Sequence, residues 1–292
     1  MEYKPSELVL APDGSLYHIH LTAETLADDV ILVGDPARVD MFKTLFDAID
    51  HESLNREIHA ITGTYHGHRF TVLSTGMGCD NIDIVATELD AAANIDLQTR
   101  TPRSNHRSLK LIRIGTSGSL QPDIPCGSVV ASRYAIGLDG LMNWYSLPQP
   151  LLKEGSSMQQ AFLSHMKSLP VLPYCVECSP TLYSKLKTQN SKLHTGITVT
   201  APGFYGPQGR HIRLAPAIPD LNERLAAFSW NGVPVTNLEM ETSAIYGFAS
   251  VLGHQALTVC LIIANRPTGQ FLNDYHAPMR EVIGNILDAL SS

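Results

Sequence analysis

Runs of apolar and β-branched residues recur at 30–33, 70–74, 109–114, 129–131, 196–200, 235–238 and 257–263, and each predicts a strand. Between many of them lie amphipathic stretches at 38–46, 82–94, 158–169, 219–228, 241–252 and 277–290 that predict helices. In the fifth, Ala244, Ile245, Phe248, Val251 and Leu252 share one face at helical spacing. Strands alternating with helices indicate an α/β fold with a mostly parallel core sheet. No linker, repeat or low-complexity tract divides the chain, so a single domain over 1–292 is expected. Residues 1–16 read as an N-terminal extension, and the polar insert TRTPRSNHRS (99–108) as a surface loop.

Composition narrows the class. Of 292 residues 44% are hydrophobic and 17% charged, enough apolar material for a large buried core. The net charge of -7, with no Lys/Arg run longer than a dipeptide, argues against a nucleic-acid partner, since phosphate-tracking surfaces need clustered cations. No stretch has the length of a membrane span, and the first residues lack the pattern of a signal peptide; a cytoplasmic protein is expected. Five cysteines do not describe a disulfide framework. Cys175 and Cys178 form one C-x-x-C without the second pair or spaced histidines that zinc needs, and read as ordinary thiols, so no metal is assigned.

In open α/β sheets ligands sit outside the carboxyl ends of the strands. Here those ends carry glycines, hydroxyls and charges: Gly34-Asp35-Pro36-Ala37-Arg38, then 74–78 (STGMG), 113–118 (RIGTSG), Glu239-Met240-Glu241 and Ala264-Asn265-Arg266. Gly34 lets backbone approach a ligand, and helix-start N–H groups suit an anion, although an ordinary turn with Asp35 as N-cap fits as well. Arg113 interrupts the apolar run LKLIRIG, which is costly unless it is paired or faces a site. Arg38, Arg113 and Thr116 together suggest a phosphate cradle, for which guanidinium forks are well shaped. P-loop, H-E-x-x-H, G-x-S-x-G and dinucleotide-binding signatures are absent.

Seven motifs in order, YHIHL (17–21), GDPARV (34–39), STGMG (74–78), RIGTSG (113–118), FYGPQGR (204–210), NLEMET (237–242) and NR (265–266), resemble the trimeric/hexameric nucleoside phosphorylases, most closely those acting on uridine. The resemblance implies a single α/β domain around a mixed, distorted β-barrel flanked by helices, assembled as a hexamer built from dimers. It further implies that Gly34, Arg38, Arg113 and Thr116 hold phosphate, with Arg56 entering the phosphate site of a neighbouring subunit. His18 would cross the same interface to the ribose 5′-hydroxyl. Met240 and Glu241 would hold the ribose, together with Thr116, while Gln208 and Arg210 read the uracil edge and Phe204 packs on the base. Glu239 would belong to the base-recognition network or orient Arg210. Glu57 corresponds to a monovalent-cation site at the dimer interface of some relatives, with Met77 and Asn81 departing from that pattern.

On this reading the substrates are a nucleoside and inorganic phosphate, with no organic cofactor. Arg113, Glu241 and Arg210 carry the chemistry: phosphate binding, stabilisation of an oxocarbenium-like sugar, and stabilisation of the departing base. The run CLIIANR has no acid where the purine-specific branch places an aspartate, which favours a pyrimidine. Purine phosphorolysis, nucleoside hydrolysis on the same fold, and a non-catalytic nucleoside-binding homologue are the alternatives. Gln208 and Arg210 sit two residues apart, so an extended loop would point both toward one pocket.

Overall fold

The computed structural model describes residues 2–147, 155–190 and 192–292. Five strands close a ring: Lys110–Ser119, Gln255–Asn265, Val129–Gly137, His194–Thr200 and Val233–Glu239. Around it the pairings run parallel, antiparallel, parallel, parallel, and the last strand returns antiparallel to the first through Leu238↔Gly118 and Asn237↔Ser119. The expected mixed barrel is therefore present. From Lys110–Ser119 the sheet continues outward through Asp29–Val33, His68–Ser74, Ile58–Tyr65 and Ala48–Asn55.

Helices predicted from periodicity appear at Pro36–Lys43, Cys79–Asn94, Gly155–Met166, Leu221–Ala227, Thr242–Leu252 and His276–Ser291. The Thr242–Leu252 helix is buried along most of its length, with Ala244, Ile245 and Phe248 in the core, and Gly253 ends it in the left-handed region at φ 77°.

Several features depart from the expected pattern. The strand expected to stop at 114 runs to Ser119 through two glycines, and that expected to stop at 131 runs to Gly137. The hairpin Ala48–Asn55/Ile58–Tyr65 was not predicted. Its two-residue turn uses Arg56 at φ 54° rather than the glycine or asparagine that marks such turns. The helix Pro180–Gln189 was also missed, although Ser179 caps it and Pro180 opens it. The expected N-terminal extension is partly core, since Leu8 and Leu16 are buried in the main cluster. The 99–108 loop lies mostly at the surface but contains Thr101–Pro102, which pairs with Ile95–Asp96.

Among the described residues no helix is long and apolar enough to cross a membrane.

Candidate active site

At the end of the barrel where the carboxyl ends of the Lys110–Ser119, Val233–Glu239 and Gln255–Asn265 strands meet, a cavity of about 620 Å³ opens. It is lined by Gly34, Arg38, Arg113, Thr116, Phe204, Gln208, Arg210, Glu239, Met240 and Glu241. Every phosphate, ribose and base residue expected from the sequence is there except His18 and Arg56.

The end carrying Arg38 and Arg113 is built on a strand and a helix start. Arg113 is buried, and side chains alternate along its strand, so residue 115 lies on the same face. A Cβ there would fall 1.9 Å from Arg113 Nη1, so only glycine leaves room for the guanidinium. Arg113 Nη1 donates to Cys260 Sγ at 3.3 Å and lies 3.4 Å from Glu239 Oε2, while Nη2 donates to Glu241 Oε2. Burial alone would lower the Arg113 pKa, but Glu241, Cys260 and Glu239 outweigh it and hold the guanidinium above its ordinary range.

Arg38 stands beside it on the Pro36–Lys43 helix, whose N-cap Asp35 accepts from the Ala37 N–H at 2.9 Å. Arg38 Nη1 donates to the Ile114 carbonyl at 3.0 Å, and Nε is buried with no partner. Burial, then the neighbouring Arg113 charge, pull Arg38 below its usual pKa. The buried Arg38 Nε is left without a partner beside a second guanidinium, and an unsatisfied charged donor costs about 1–3 kcal/mol or more, so this corner is suited to an anionic acceptor. Thr116 is the one residue in the inner part of the strand that is not fully buried, and it faces this cavity.

The two glutamates divide the work that the sequence left ambiguous. Glu239 Oε2 accepts from the Glu241 and Thr242 N–H groups at 2.9 Å each, and so caps the Thr242–Leu252 helix. Its Oε1 accepts from Thr200 Oγ1 at 2.6 Å. Glu241 serves another helix: its Oε1 accepts from the Gly78 N–H at 2.8 Å, at the start of Cys79–Asn94. Between that amide and Arg113 the carboxylate is fixed, and Met240 lines the cavity beside it.

The end carrying Phe204, Gln208 and Arg210 is built on a loop. Residues 206–208 form a single 3-10 turn and Gly209 takes φ 67°, so the chain is not extended as expected. The tight turn still brings the pair together: Arg210 Nη1 donates to Gln208 Oε1 at 2.7 Å and to the Phe204 carbonyl. Arginine is only a donor, so this contact sets the carboxamide's orientation and leaves Gln208 Nε2 free to donate to a ligand. The Arg210 guanidinium lies 3.7 Å over the Phe204 ring. Burial, with Arg266 nearby, lowers Arg210 to about 10.

Arg266 stands directly behind the cavity lining, its Nη2 donating weakly to the Gln208 carbonyl at 3.4 Å. Its Nε is buried without a partner, against Gly118, whose missing side chain leaves the space. Phe271 and Tyr275 complete the wall. In the sequence Arg266 stood at a strand end and in the NR motif, but a charge after an apolar strand is shared by solvated loop arginines and carried no role.

Asn265, in the segment where an acid was sought, is buried and saturated. Its Nδ2 donates to the Gln121 and Ile124 carbonyls at 2.9 Å each, and its Oδ1 accepts from Thr268 N–H and Oγ1 at 3.1 and 2.9 Å.

His18 and Arg56 lie together outside this cavity. Asn55 Nδ2 donates to the Tyr17 and His18 carbonyls at 3.0 and 3.1 Å, holding the two segments side by side. His18 Nδ1 is 2.5 Å from Glu88 Oε1, and Arg56 is exposed at its hairpin tip. Glu57, Met77 and Asn81 do line the cavity; Asn81 Nδ2 donates weakly to Glu57 Oε1 at 3.4 Å, so one carboxylate and one carboxamide are all the side-chain oxygen they offer a cation.

Elsewhere, Asp90, His106 and His254 approach one another closely enough to suggest a metal. His254 Nδ1 accepts from the Leu109 N–H at 3.1 Å, so its neutral ring carries the proton on Nε2, the atom a metal would need. Cys175 and Cys178 are both buried free thiols, pushed up to about 12 by burial. A larger groove of about 800 Å³ runs between Pro180–Gln189 and His276–Ser291, but among the described residues no unpartnered buried side-chain atom lines it.

The sequence matches the phosphorylase superfamily over residues 28–289. It is 30% identical over 265 residues to a uridine phosphorylase of Thermococcus kodakarensis, covering 89% of this chain and 80% of that one. With a uridine phosphorylase of Haemophilus influenzae the identity is 27% over 262 residues, covering 89% and 90%. DeoD-type purine nucleoside phosphorylases are similar as well. Among solved structures, a Trypanosoma brucei nucleoside phosphorylase described as having uridine phosphorylase activity superposes with a TM-score of 0.88 at 31% identity, over 98% of this chain and all of that one. The chain belongs to the phosphorylase superfamily, and within it to the nucleoside phosphorylases, which are pentosyltransferases.

Proposed function

We propose that the protein cleaves uridine with inorganic phosphate to give uracil and ribose 1-phosphate. The observation that carries this reading is the pair of buried guanidiniums at the inner end of the cavity, with Arg38 Nε unpartnered. A phosphate dianion placed there satisfies that donor and relieves the repulsion between Arg38 and Arg113. One of its oxygens then attacks C1′ while the C1′–N1 bond breaks, and the bonding pair leaves with the base. Glu241, held between Arg113 and Gly78, accepts from the ribose hydroxyls and stabilises the positive charge that builds on the sugar. Met240 and Thr116 flank it. Uracil departs as an anion, its carbonyl oxygens accepting from Gln208 Nε2 and the Arg210 guanidinium while its ring lies against Phe204.

Two observations favour this reading over hydrolysis and over purine phosphorolysis. Hydrolysis needs a carboxylate free to take a proton from water, whereas both buried carboxylates here are engaged by Arg113 and by backbone N–H groups. Purine release is helped by protonation at N7, and Asn265, saturated and turned to backbone carbonyls, supplies no proton. Incubation with uridine, thymidine, inosine and adenosine, each with and without phosphate, tests the reading. Uracil and sugar phosphate should appear only when uridine and phosphate are both present. Equal release of base without phosphate would overturn it in favour of hydrolysis, and dominant cleavage of inosine would move it to purines.

The same reading assigns His18 and Arg56 to the pocket of a second subunit in a homo-oligomer of at least two chains. Glu88 orients the His18 ring, leaving Nε2 for the neighbour's ribose 5′-hydroxyl, and Arg56 adds a third cation to the neighbour's phosphate. A monovalent cation near Glu57 would draw further oxygens from that subunit. Mixing inactive His18→Ala/Arg56→Ala chains with inactive Arg113→Ala chains should restore part of the activity; none in verified mixed oligomers would mean that each chain's site is self-contained.

A further inference from the structure

Arg113 lies between two carboxylates, and the three groups are almost fully enclosed. Glu241 faces the sugar position, but Glu239 has little left to offer a substrate. Thr200 takes its Oε1, and the Glu241 and Thr242 N–H groups take its Oε2, which also faces Arg113 Nη1 at 3.4 Å. One carboxylate thus grips the guanidinium of the anion seat and the backbone of the residue that holds the ribose. We propose that Glu239 is a positioning residue, locking Arg113 and Glu241 into one unit so that the phosphate and ribose seats keep a fixed spacing, and that it does not read the base.

This deepens the phosphorylase reading and rests on it. The spacing matters because attack on C1′ requires the phosphate oxygen and the sugar carbon to be aligned, and small misplacements are costly. Thr200 anchors the far side of Glu239 and in turn accepts from the Ser243 N–H at 2.9 Å, so the positioning group is tied to the barrel strand His194–Thr200 as well as to the helix.

Three roles for Glu239 make different predictions for Glu239→Gln. As a helix cap only, the variant should behave as wild type, because the carboxamide oxygen still accepts the two N–H groups. As a base reader, it should alter the KM for uridine alone. As a charge acting only through its field, its loss should tighten phosphate binding, since an anion near a dianion repels it. Positioning predicts the opposite sign. Without its second carboxylate Arg113 turns fully onto Glu241, and phosphate binding should weaken about tenfold or more, the scale of one charged hydrogen bond.

The experiment is calorimetric titration of the full-length chain with inorganic phosphate alone, beside steady-state kinetics varying phosphate and uridine separately. Glu239→Gln is expected to keep its melting temperature and uridine KM and to lose phosphate affinity. Phosphate affinity that is unchanged or tighter, or a loss confined to uridine, overturns the proposal. Thr200→Val, which removes the anchoring hydroxyl from outside the cavity, decides the matter if Glu239→Gln fails to fold: a loss of about threefold in phosphate affinity is expected from one weakened neutral anchor, and no change overturns the proposal. Absence of phosphate binding by the wild-type chain would bring down the phosphorylase reading too, whereas wild-type binding that both variants leave intact brings down this proposal alone.

Discussion

The two ends of the cavity are built in opposite ways. At the end proposed to take the anion, the side chains stand on barrel strands and helix starts, and they are buried and interlocked through Arg113, Glu239, Glu241 and the Gly78 N–H. At the base end Phe204, Gln208 and Arg210 stand on a glycine- and proline-rich loop, with Phe204 half exposed and Arg210 only partly enclosed. The first arrangement fixes charges where a reaction develops charge and needs no reorganisation to do so. The second offers a few directed donors on a mobile class of structure, where binding preference changes with little effect on the barrel. The contrast suggests that chemistry and base choice are separable in this molecule, and each prediction below would break or sharpen that separation.

The largest effect is expected from Arg113→Ala. It leaves Glu239 and Glu241 buried without their shared cation, a change that costs about 3–5 kcal/mol of stability when a buried pair is broken from one side. Phosphate dependence should collapse as well, since the main charged contact is gone. Thermal denaturation and phosphate titration check both effects together. A stable variant with normal phosphate dependence would show that the anion end is neither interlocked nor catalytic.

Asn265→Asp comes next. It superficially installs the acid that the purine branch uses, yet the structure predicts loss rather than gain. The Asn265 amide donates to two backbone carbonyls, which an ionised carboxylate would repel. Destabilisation of about 1–3 kcal/mol is expected from the unpaired buried groups, with no rise in inosine or adenosine cleavage. New purine turnover in this variant would show that residue 265 can swing into the cavity.

Arg210→Ala should be milder for the fold and selective for the base. Removing a charged donor from a partly enclosed site should cost about 1.5–3 kcal/mol of transition-state binding for uridine. Phosphate KM and melting temperature should stay near those of the wild type, because Arg210's hydrogen bonds and ring contact among the described residues go to Phe204 and Gln208. A matching loss in phosphate affinity would mean that the two ends are coupled.

How much of this was legible in the sequence differs in the same way. The barrel strands announced themselves through β-branched runs, and Arg113 stood out because a charge inside LKLIRIG demanded an explanation. The same strand was cut short at 114 because glycines weaken a strand pattern, although Gly115 is there to make room for the Arg113 guanidinium. The hairpin carrying Arg56 was invisible because its turn bends through a positive-φ arginine, with no turn residue to mark it. Arg266 could not be told from a solvated arginine, since the space beside its Nε is left by Gly118, far away in sequence on the neighbouring strand. The separate roles of Glu239 and Glu241 depend on which helix start each one meets, and that is fixed only when Cys79–Asn94 packs against Thr242–Leu252.

The smallest effect, and the finest test of separability, is expected from Phe204→Leu. The substitution keeps an apolar surface for the base to lie against but removes the π face under the Arg210 guanidinium. At a half-exposed position a cation–π contact is worth about 0.5–1 kcal/mol, so the KM for uridine should rise about two- to fivefold. The loss arises because Arg210, no longer steadied from below, spends less time aimed at the base carbonyl, while Gln208 keeps its place in the turn. Turnover at saturating uridine, phosphate KM and melting temperature should scarcely move. A fall in turnover at saturating substrate would mean that the loop helps to expel the base as well as to recognise it, and the line between the two ends of the cavity would then run through Arg210 itself.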